Sequence, residues 1–321
     1  MDASLLLDLY RQMALCRRFE EAAGRAYQQG KIRGFLHLYV GQEAVAVGAI
    51  SGAAPTDYIV STYREHAHYL ARTGDARGAM AELFGKAGGV VGGRGGAMHL
   101  FDASKRFLGG WAIVGGHIPI AAGVAFASKY RDEPDVTLCF FGDGTANMGA
   151  FHEGLALAGL WKLPVVFICE NNMYAMGTPL YRTLSVEDVS VRAKGYPIEA
   201  DIVNGDDVLE MREATQKAVE RARKTKMPFF LEAKTYRFRG HSMSDPAKYR
   251  TREEVQKMRE QSDCIDTARK LLAEAHGVTE AELKVIDDEV KAIVQDAADF
   301  AQTSPEPDES ELYTDILIEA R

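Results

Sequence analysis

The chain has 321 residues, 46% of them hydrophobic, enough for one large α/β domain or two ordinary ones. Its 46 acidic residues against 38 basic ones give a net charge of −8, which argues against nucleic acid as the main partner. It has no apolar run long enough to cross a membrane and no visible signal or Arg-rich transit sequence, so a soluble, cytoplasmic protein with no membrane partner is expected.

Leu5–Gln29 carries apolar residues at helical spacing (Leu5, Leu9, Met13, Phe19, Ala22, Ala26), and Gly30 is a natural stop. Gly34–Gly48 begins as a loop holding His37 and becomes a small-residue helix at Gln42. A lone loop histidine is ordinarily structural. Tyr58–Tyr63 reads as a strand ending at Tyr63-Arg64, where a guanidinium suits forked contacts with anionic oxygen. His66 and His68 are two apart, so they do not share a helix face, and both read as structural. Gly85–Gly96 holds seven glycines but no Gly-Lys-Ser/Thr, which excludes a Walker loop. It reads either as a flexible linker or as backbone packed against a partner or a site wall. Phe107–Gly116 leads into a helix over His117–Tyr130, with Pro119 in its first turn.

The centre of the sequence is Phe140–Gly177. Val136–Phe141 is a short apolar run ending at glycine, the pattern of a strand buried on both faces. A turn at Gly142-Asp143-Gly144 follows, then a packed helix over Gly149–Gly159, then a second buried strand at Pro164–Cys169. This βαβ unit makes the two strands parallel and the fold α/β. Asp143 and Asn172, 29 positions apart, then fall at the same C-terminal sheet edge, where open parallel sheets bind ligands. One carboxylate, one amide oxygen and a nearby carbonyl make a hard oxygen site, suited to Mg²⁺ that takes further ligands from phosphate. Gly144 lets backbone N–H groups approach those phosphates, and the next helix offers its N-terminus. GDG alone fits an ordinary strand–helix turn; with Asn-Asn after the next strand, the pattern favours a metal–diphosphate site. A Rossmann reading fails because Asn147 stands at the third glycine of GxGxxG.

Beyond this unit, Ile198–Val203 and Pro228–Lys234 read as strands, and Asp206–Thr225 as a helix capped by Asp206. Arg237–Arg250 is a polar, basic loop, and Arg252–His276 and Thr279–Phe300 are two amphipathic helices. The tail SPEPDESELY is expected to be irregular and available to a partner. Cys16, Cys139, Cys169 and Cys264 show no CxxC spacing, which points to packing roles in a reducing compartment.

GDG followed by a double Asn resembles the thiamine-diphosphate motif. The words GDGTANMGAFHEG, LWKLPVVFICENNMYAMGT and YRFRGHSMSDP are similar to those of α subunits of pyruvate dehydrogenase E1 components, over about Leu5 to Arg250. The resemblance implies a thiamine-diphosphate-binding fold with a central, mostly parallel sheet flanked by helices. Residues 1–321 would form one such domain, with 252–321 its helical C-terminal extension. It implies thiamine diphosphate and Mg²⁺ as cofactors, the metal held by Asp143, Asn172 and the carbonyl of Tyr174. Gly144 and Thr145 would touch the diphosphate, and Tyr63 and Arg64 would serve the diphosphate and the substrate entry. Ala112 and Val114 would hold the aminopyrimidine ring through backbone atoms; relatives commonly carry Gly where Ala112 stands, a change that a backbone contact survives. His37 would line the substrate channel, and His241 would reach diphosphate or substrate and help pass the acyl group to a lipoyl arm. Ser242 matches the serine phosphorylated in eukaryotic relatives.

The resemblance also implies that the glutamate which activates the aminopyrimidine comes from a β subunit. It thus implies an α₂β₂ assembly docked to a lipoyl-bearing E2 acyltransferase. Met176-Gly177-Thr178 and His241–Pro246 resemble pyruvate enzymes, whereas branched-chain relatives read closer to AIST and HHSTSDD. Acetoin dehydrogenase α subunits usually lack the HSMSDP wording. Pyruvate therefore ranks first, acetoin second and branched-chain 2-oxo acids third. A noncatalytic assembly subunit that kept the fold is the reading from another class, and intact Asp143, Asn172 and His241 argue against it.

Overall fold

The computed structural model describes residues 3–314. Chain order is α1 (Ala3–Gln28), α2 (Glu43–Gly52), β1 (Tyr58–Thr62), α3 (His66–Thr73), α4 (Ala76–Leu83), β2 (Phe107–Trp111) and α5 (His117–Tyr130). Then come β3 (Thr137–Gly142), α6 (Gly149–Trp161), β4 (Val165–Asn171), the short hairpin β5–β6 (Tyr174–Ala175, Thr178–Pro179) and α7 (Leu180–Thr183). β7 (Glu199–Asn204), α8 (Val208–Thr225), β8 (Phe229–Lys234), α9 (Arg252–Ser262), α10 (Cys264–His276) and α11 (Glu280–Thr303) complete it.

Six strands form one sheet in the order β2–β1–β3–β4–β8–β7, and every neighbouring pair is parallel. Side chains of β3 and β4 alternate between two apolar layers, which is why their sequences read as continuous apolar runs. Leu138, Phe140, Val166 and Ile168 join the layer built by α1, α2 and α8. Cys139, Phe141, Phe167 and Cys169 join the layer under α5 and α6. The first layer extends to Leu272 of α10 and to Leu283, Val290 and Ala297 of α11, so the C-terminal helices share its core. Residues 315–321, the end of that expected extension, lie outside the described residues.

Glycine permits a close helix contact. A Cβ at Gly52 of α2 would lie 2.5 Å from the carbonyl oxygen of Arg212 in α8, so a side chain there would force the two helices apart. The register of β3 on β4 pairs Gly142 with Glu170. Asp143 and Asn172 therefore leave the sheet at one edge, within about a residue of each other.

Three local expectations are corrected. The cap of α8 is Asp207, whose Oδ1 accepts from the backbone N–H groups of Leu209 (2.9 Å) and Glu210 (3.0 Å). Asp206 instead accepts from the Thr235 hydroxyl at 2.7 Å. The single helix expected over Arg252–His276 is broken at Asp263, which has extended backbone, caps α10 by accepting from Ile265 N–H, and holds the Arg17 guanidinium. The tail after α11 is anchored: Ala87 N–H donates to Pro305 O at 2.9 Å, Arg94 pairs with Glu311 at 2.9 Å, and Glu309–Tyr313 forms a 3₁₀ turn.

The glycine-rich segment under this tail is wound around the buried carboxylate of Glu82. Glu82 Oε2 accepts from Val91 N–H (3.0 Å) and Gly93 N–H (2.8 Å), and Oε1 from Gly95 N–H (2.7 Å) and Gly96 N–H (3.0 Å). The segment is therefore no flexible linker.

Candidate active site

The C-terminal sheet edge and the loops above it enclose a cavity of about 840 Å³. The end of β1 delivers Tyr63 and Arg64 to its wall, and the segment after β2 delivers Ala112 and Val114. The turn after β3 delivers Asp143, Gly144 and Thr145; the end of β4 and the hairpin deliver Asn172 and Tyr174. The loop before α2 brings His37, and the loop after β8 brings His241 and Ser242. Each site residue expected from the sequence thus lines this one space. His66 and His68 do not: both are fully buried outside it, His66 against Glu20 at 3.1 Å and His68 against Glu170 at 3.0 Å.

Asp143 is 1% exposed and its Oδ2 has no hydrogen-bond partner. Burial pushes its pKa up to about 6, while the charge of Arg237 pulls the other way. A buried carboxylate oxygen without a donor is a place for a cation. Asn172 Nδ2 donates to Gln42 Oε1 at 2.9 Å, which fixes the direction of the amide and leaves Oδ1 facing the Tyr174 N–H (3.4 Å) and Arg237 Nη1 (3.4 Å). Arg237 Nη1 also donates to the Tyr174 carbonyl at 3.2 Å. Among the described residues no cluster of three His, Cys, Asp or Glu side chains could hold a metal. One carboxylate and two neutral oxygens fit a cation that draws its remaining ligands from phosphate. At Gly144 a Cβ would come within 2.7 Å of Ala175 Cβ, so only glycine lets the hairpin close over the turn.

The rest of the cavity is set for anionic oxygen. Arg64 and Arg237 are both buried and both line it. Burial, with Arg237 as the next cause, pushes Arg64 down to about 10. His37 and His241 lie with ring centroids 5.0 Å apart, and the Tyr63 ring is 4.4 Å from His37. Burial and then the Arg64 charge depress His37 to about 2 and His241 to about 4, so both imidazoles are neutral near pH 7. The Nδ1 atom of each is buried and unpartnered, free to hold a proton or accept one.

The dehydrogenase E1 component family model matches residues 11–310. The chain belongs to this family. The pyruvate dehydrogenase E1 component subunit alpha of Rhizobium meliloti (strain 1021) is 51% identical to this E1 chain over 312 residues, 97% of this chain and 90% of the relative. The protein of the same name from Zymomonas mobilis subsp. mobilis is 49% identical over 318 residues, 99% of this chain and 90% of the relative. A chloroplastic subunit alpha-3 from Oryza sativa subsp. japonica is 43% identical over 324 residues, 98% of this chain and 76% of the relative.

Three residues of the E1 site escape a reading of the sequence. Gln42 reads only as a helix start, and nothing along the chain couples it to Asn172, 130 positions away. Arg237 reads as one cation of a basic loop. Glu170 reads as the end of a buried strand, yet it lines the cavity and accepts from Tyr39 OH and His68 behind it.

Proposed function

We propose that this chain is the α subunit of a pyruvate dehydrogenase E1 component, catalysing thiamine-diphosphate-dependent oxidative decarboxylation of pyruvate and reductive acetylation of a lipoyl group. The observation that carries the reading is the convergence of the GDG turn and Asn172 on one cavity, where Asp143 Oδ2 is buried and unpartnered. The names of its relatives support pyruvate over acetoin and branched-chain 2-oxo acids. Residues 1–321 act as one diphosphate- and metal-binding domain, with 252–321 its helical extension.

Asp143, Asn172 Oδ1 and the Tyr174 carbonyl hold Mg²⁺, and Gly144 and Thr145 face the diphosphate. Tyr63 and Arg64 serve the diphosphate and the substrate entry, and Ala112 and Val114 meet the aminopyrimidine through backbone atoms. Thiamine diphosphate, when bound, supplies the electron sink for loss of CO₂ from a 2-oxo acid. His37 and His241, neutral and with free Nδ1 atoms, place a proton donor or acceptor beside the reacting carbonyl. His241, carried on the loop after β8, helps pass the acyl group to a lipoyl arm.

The α₂β₂ assembly, docked to a lipoyl-bearing E2 acyltransferase in the cytoplasm, is supported by surface chemistry. α5 and α6 are predominantly apolar, and Phe126, Tyr130, Leu160 and Trp161 stay exposed on them beside a few polar residues such as Lys129 and Glu153, while Ile113 and Val114 are exposed by the cavity. Gly154 of α6 faces inward against Ile118, so only the outer stripe of that helix is left for a partner. Among the described residues no helix is long and apolar enough to cross a membrane.

The test is a substrate panel on the chain reconstituted with its β subunit and a lipoyl domain. Acetyl transfer from pyruvate should exceed transfer from branched-chain 2-oxo acids and turnover of acetoin. A preference for either of those, or no turnover of any, contradicts the proposal.

A further inference from the structure

Arg237 is 1% exposed, and no salt bridge to it exists among the described residues. A guanidinium buried without a carboxylate is costly unless oxygens satisfy its donors. Here neutral oxygens do so. Nη1 reaches Asn172 Oδ1 at 3.4 Å and the Tyr174 carbonyl at 3.2 Å. Nη2 donates to the Met176 carbonyl at 2.8 Å and the Tyr249 hydroxyl at 3.2 Å, and Nε to the Arg239 carbonyl at 3.2 Å. One rigid fork therefore spans the end of β4, the hairpin after it and the loop after β8.

Amide and peptide oxygens each carry two lone pairs. Arg237 Nη1 occupies one pair of Tyr174 O and leaves the other open, whereas Asn172 Oδ1 meets both Arg237 Nη1 and Tyr174 N–H, each at a long 3.4 Å that a cation can displace. We infer that Arg237 is a positioning residue of the cation site, holding these two neutral oxygens at the spacing the metal requires. The inference rests on the assignment of Asp143, Asn172 and Tyr174 as metal ligands under the proposed function.

Two other roles predict the opposite sign. If the guanidinium only fills the place that the cation takes, removing it relieves competition and tightens metal binding. If only its charge matters, removing it also tightens binding, because like charges repel. If it positions the oxygens, losing the fork weakens binding even when the positive charge is kept, as for outer-layer partners of metal ligands generally.

The experiment uses the chain assembled with its β subunit, with thiamine diphosphate present and Mn²⁺ as the probe. Bound and free Mn²⁺ are separated by electron paramagnetic resonance, and activity is not read. Arg237→Lys keeps the charge and loses the fork; it should weaken Mn²⁺ binding roughly 10- to 100-fold. Its Mn²⁺ line shape should change in an assembly that elutes like the parent, with binding read well below the variant's own thermal midpoint. Arg237→Gln removes the charge and should also weaken binding; this second variant decides the matter if the first does not fold. Unchanged or tighter Mn²⁺ binding in either folded variant overturns the inference. Failure of the unsubstituted protein to bind Mn²⁺, or an Asp143→Ala variant that binds it as well, overturns the ligand assignment itself.

Discussion

Arg64 Nη2 donates to the carbonyl of His241 at 2.8 Å, while its Nη1 donates to the carbonyl of Leu38 at 2.6 Å. One buried guanidinium thus ties the end of β1 to both loops that carry the site histidines. An ammonium group cannot span the two carbonyls. Each charge-assisted bond is worth about 1.5–3 kcal/mol. Arg64→Lys should therefore lower kcat/KM for pyruvate about tenfold or more and make the 237–250 loop easier to cleave with protease. Kinetics and limited proteolysis both unchanged would contradict this.

Glu82 organises the glycine-rich segment from inside. Its carboxylate satisfies four backbone N–H groups, and Gly89 leaves no room for a side chain, since a Cβ there would lie 2.3 Å from Glu82 Oε2. Glu82→Ala would strand four donors, each costing about 1–3 kcal/mol if left buried. A fall in stability of roughly 3 kcal/mol or more is expected in chemical denaturation, with increased hydrogen exchange confined to residues 85–96. A variant as stable as the parent would show that water replaces the carboxylate.

How much of this was legible in the sequence follows from the range of each interaction. The buried strands at β3 and β4 and the shared sheet edge that brings Asp143 and Asn172 to one cavity were legible, because apolar runs, glycine turns and the βαβ connection are local or nearly so. Asp143 and Asn172 could be joined through the parallel register alone. The Glu82 nest was not legible, because a glycine-rich run gives no sign of the carboxylate it encloses. Asp263 was missed as a helix break because its competing partner, Arg17, lies 246 positions away. A strand-end arginine suits anionic oxygen, and nothing local along the chain signals that two of the Arg64 donors go to backbone carbonyls.

Acid stability should carry the mark of the site histidines. In the folded chain His241 is depressed to about 4 from its ordinary 6.5, first by burial and then by Arg64 and Arg237. Between those values the unfolded chain binds the proton and the folded chain does not, so acidification favours unfolding. The contribution is fully present above pH 6.5 and is lost as the pH falls toward 4. His37 acts in the same direction. The thermal midpoint should drop from pH 7 to pH 5, and His241→Gln should drop less. Equal drops in both proteins would rule out His241 as a source.

The isolated chain should not turn over pyruvate. Two of the buried glutamates are held internally: Glu43 accepts from Gly41 N–H at 3.0 Å, and Glu232 accepts from Asn171 Nδ2 and Ser190 N–H. Neither is free to meet an aminopyrimidine nitrogen. Decarboxylation with an artificial electron acceptor should be absent for the chain alone and appear when the β subunit is added. Comparable rates without the β subunit would place the activating glutamate in this chain.

The central claim is that Asp143 anchors a metal–diphosphate site at the end of β3. Calorimetric titration of the α–β assembly with thiamine diphosphate and Mg²⁺ tests it most directly. Saturable binding that vanishes in Asp143→Ala, with the thermal midpoint of the cofactor-free assembly unchanged, is the predicted result. Binding of undiminished affinity in the Asp143→Ala assembly would contradict the account.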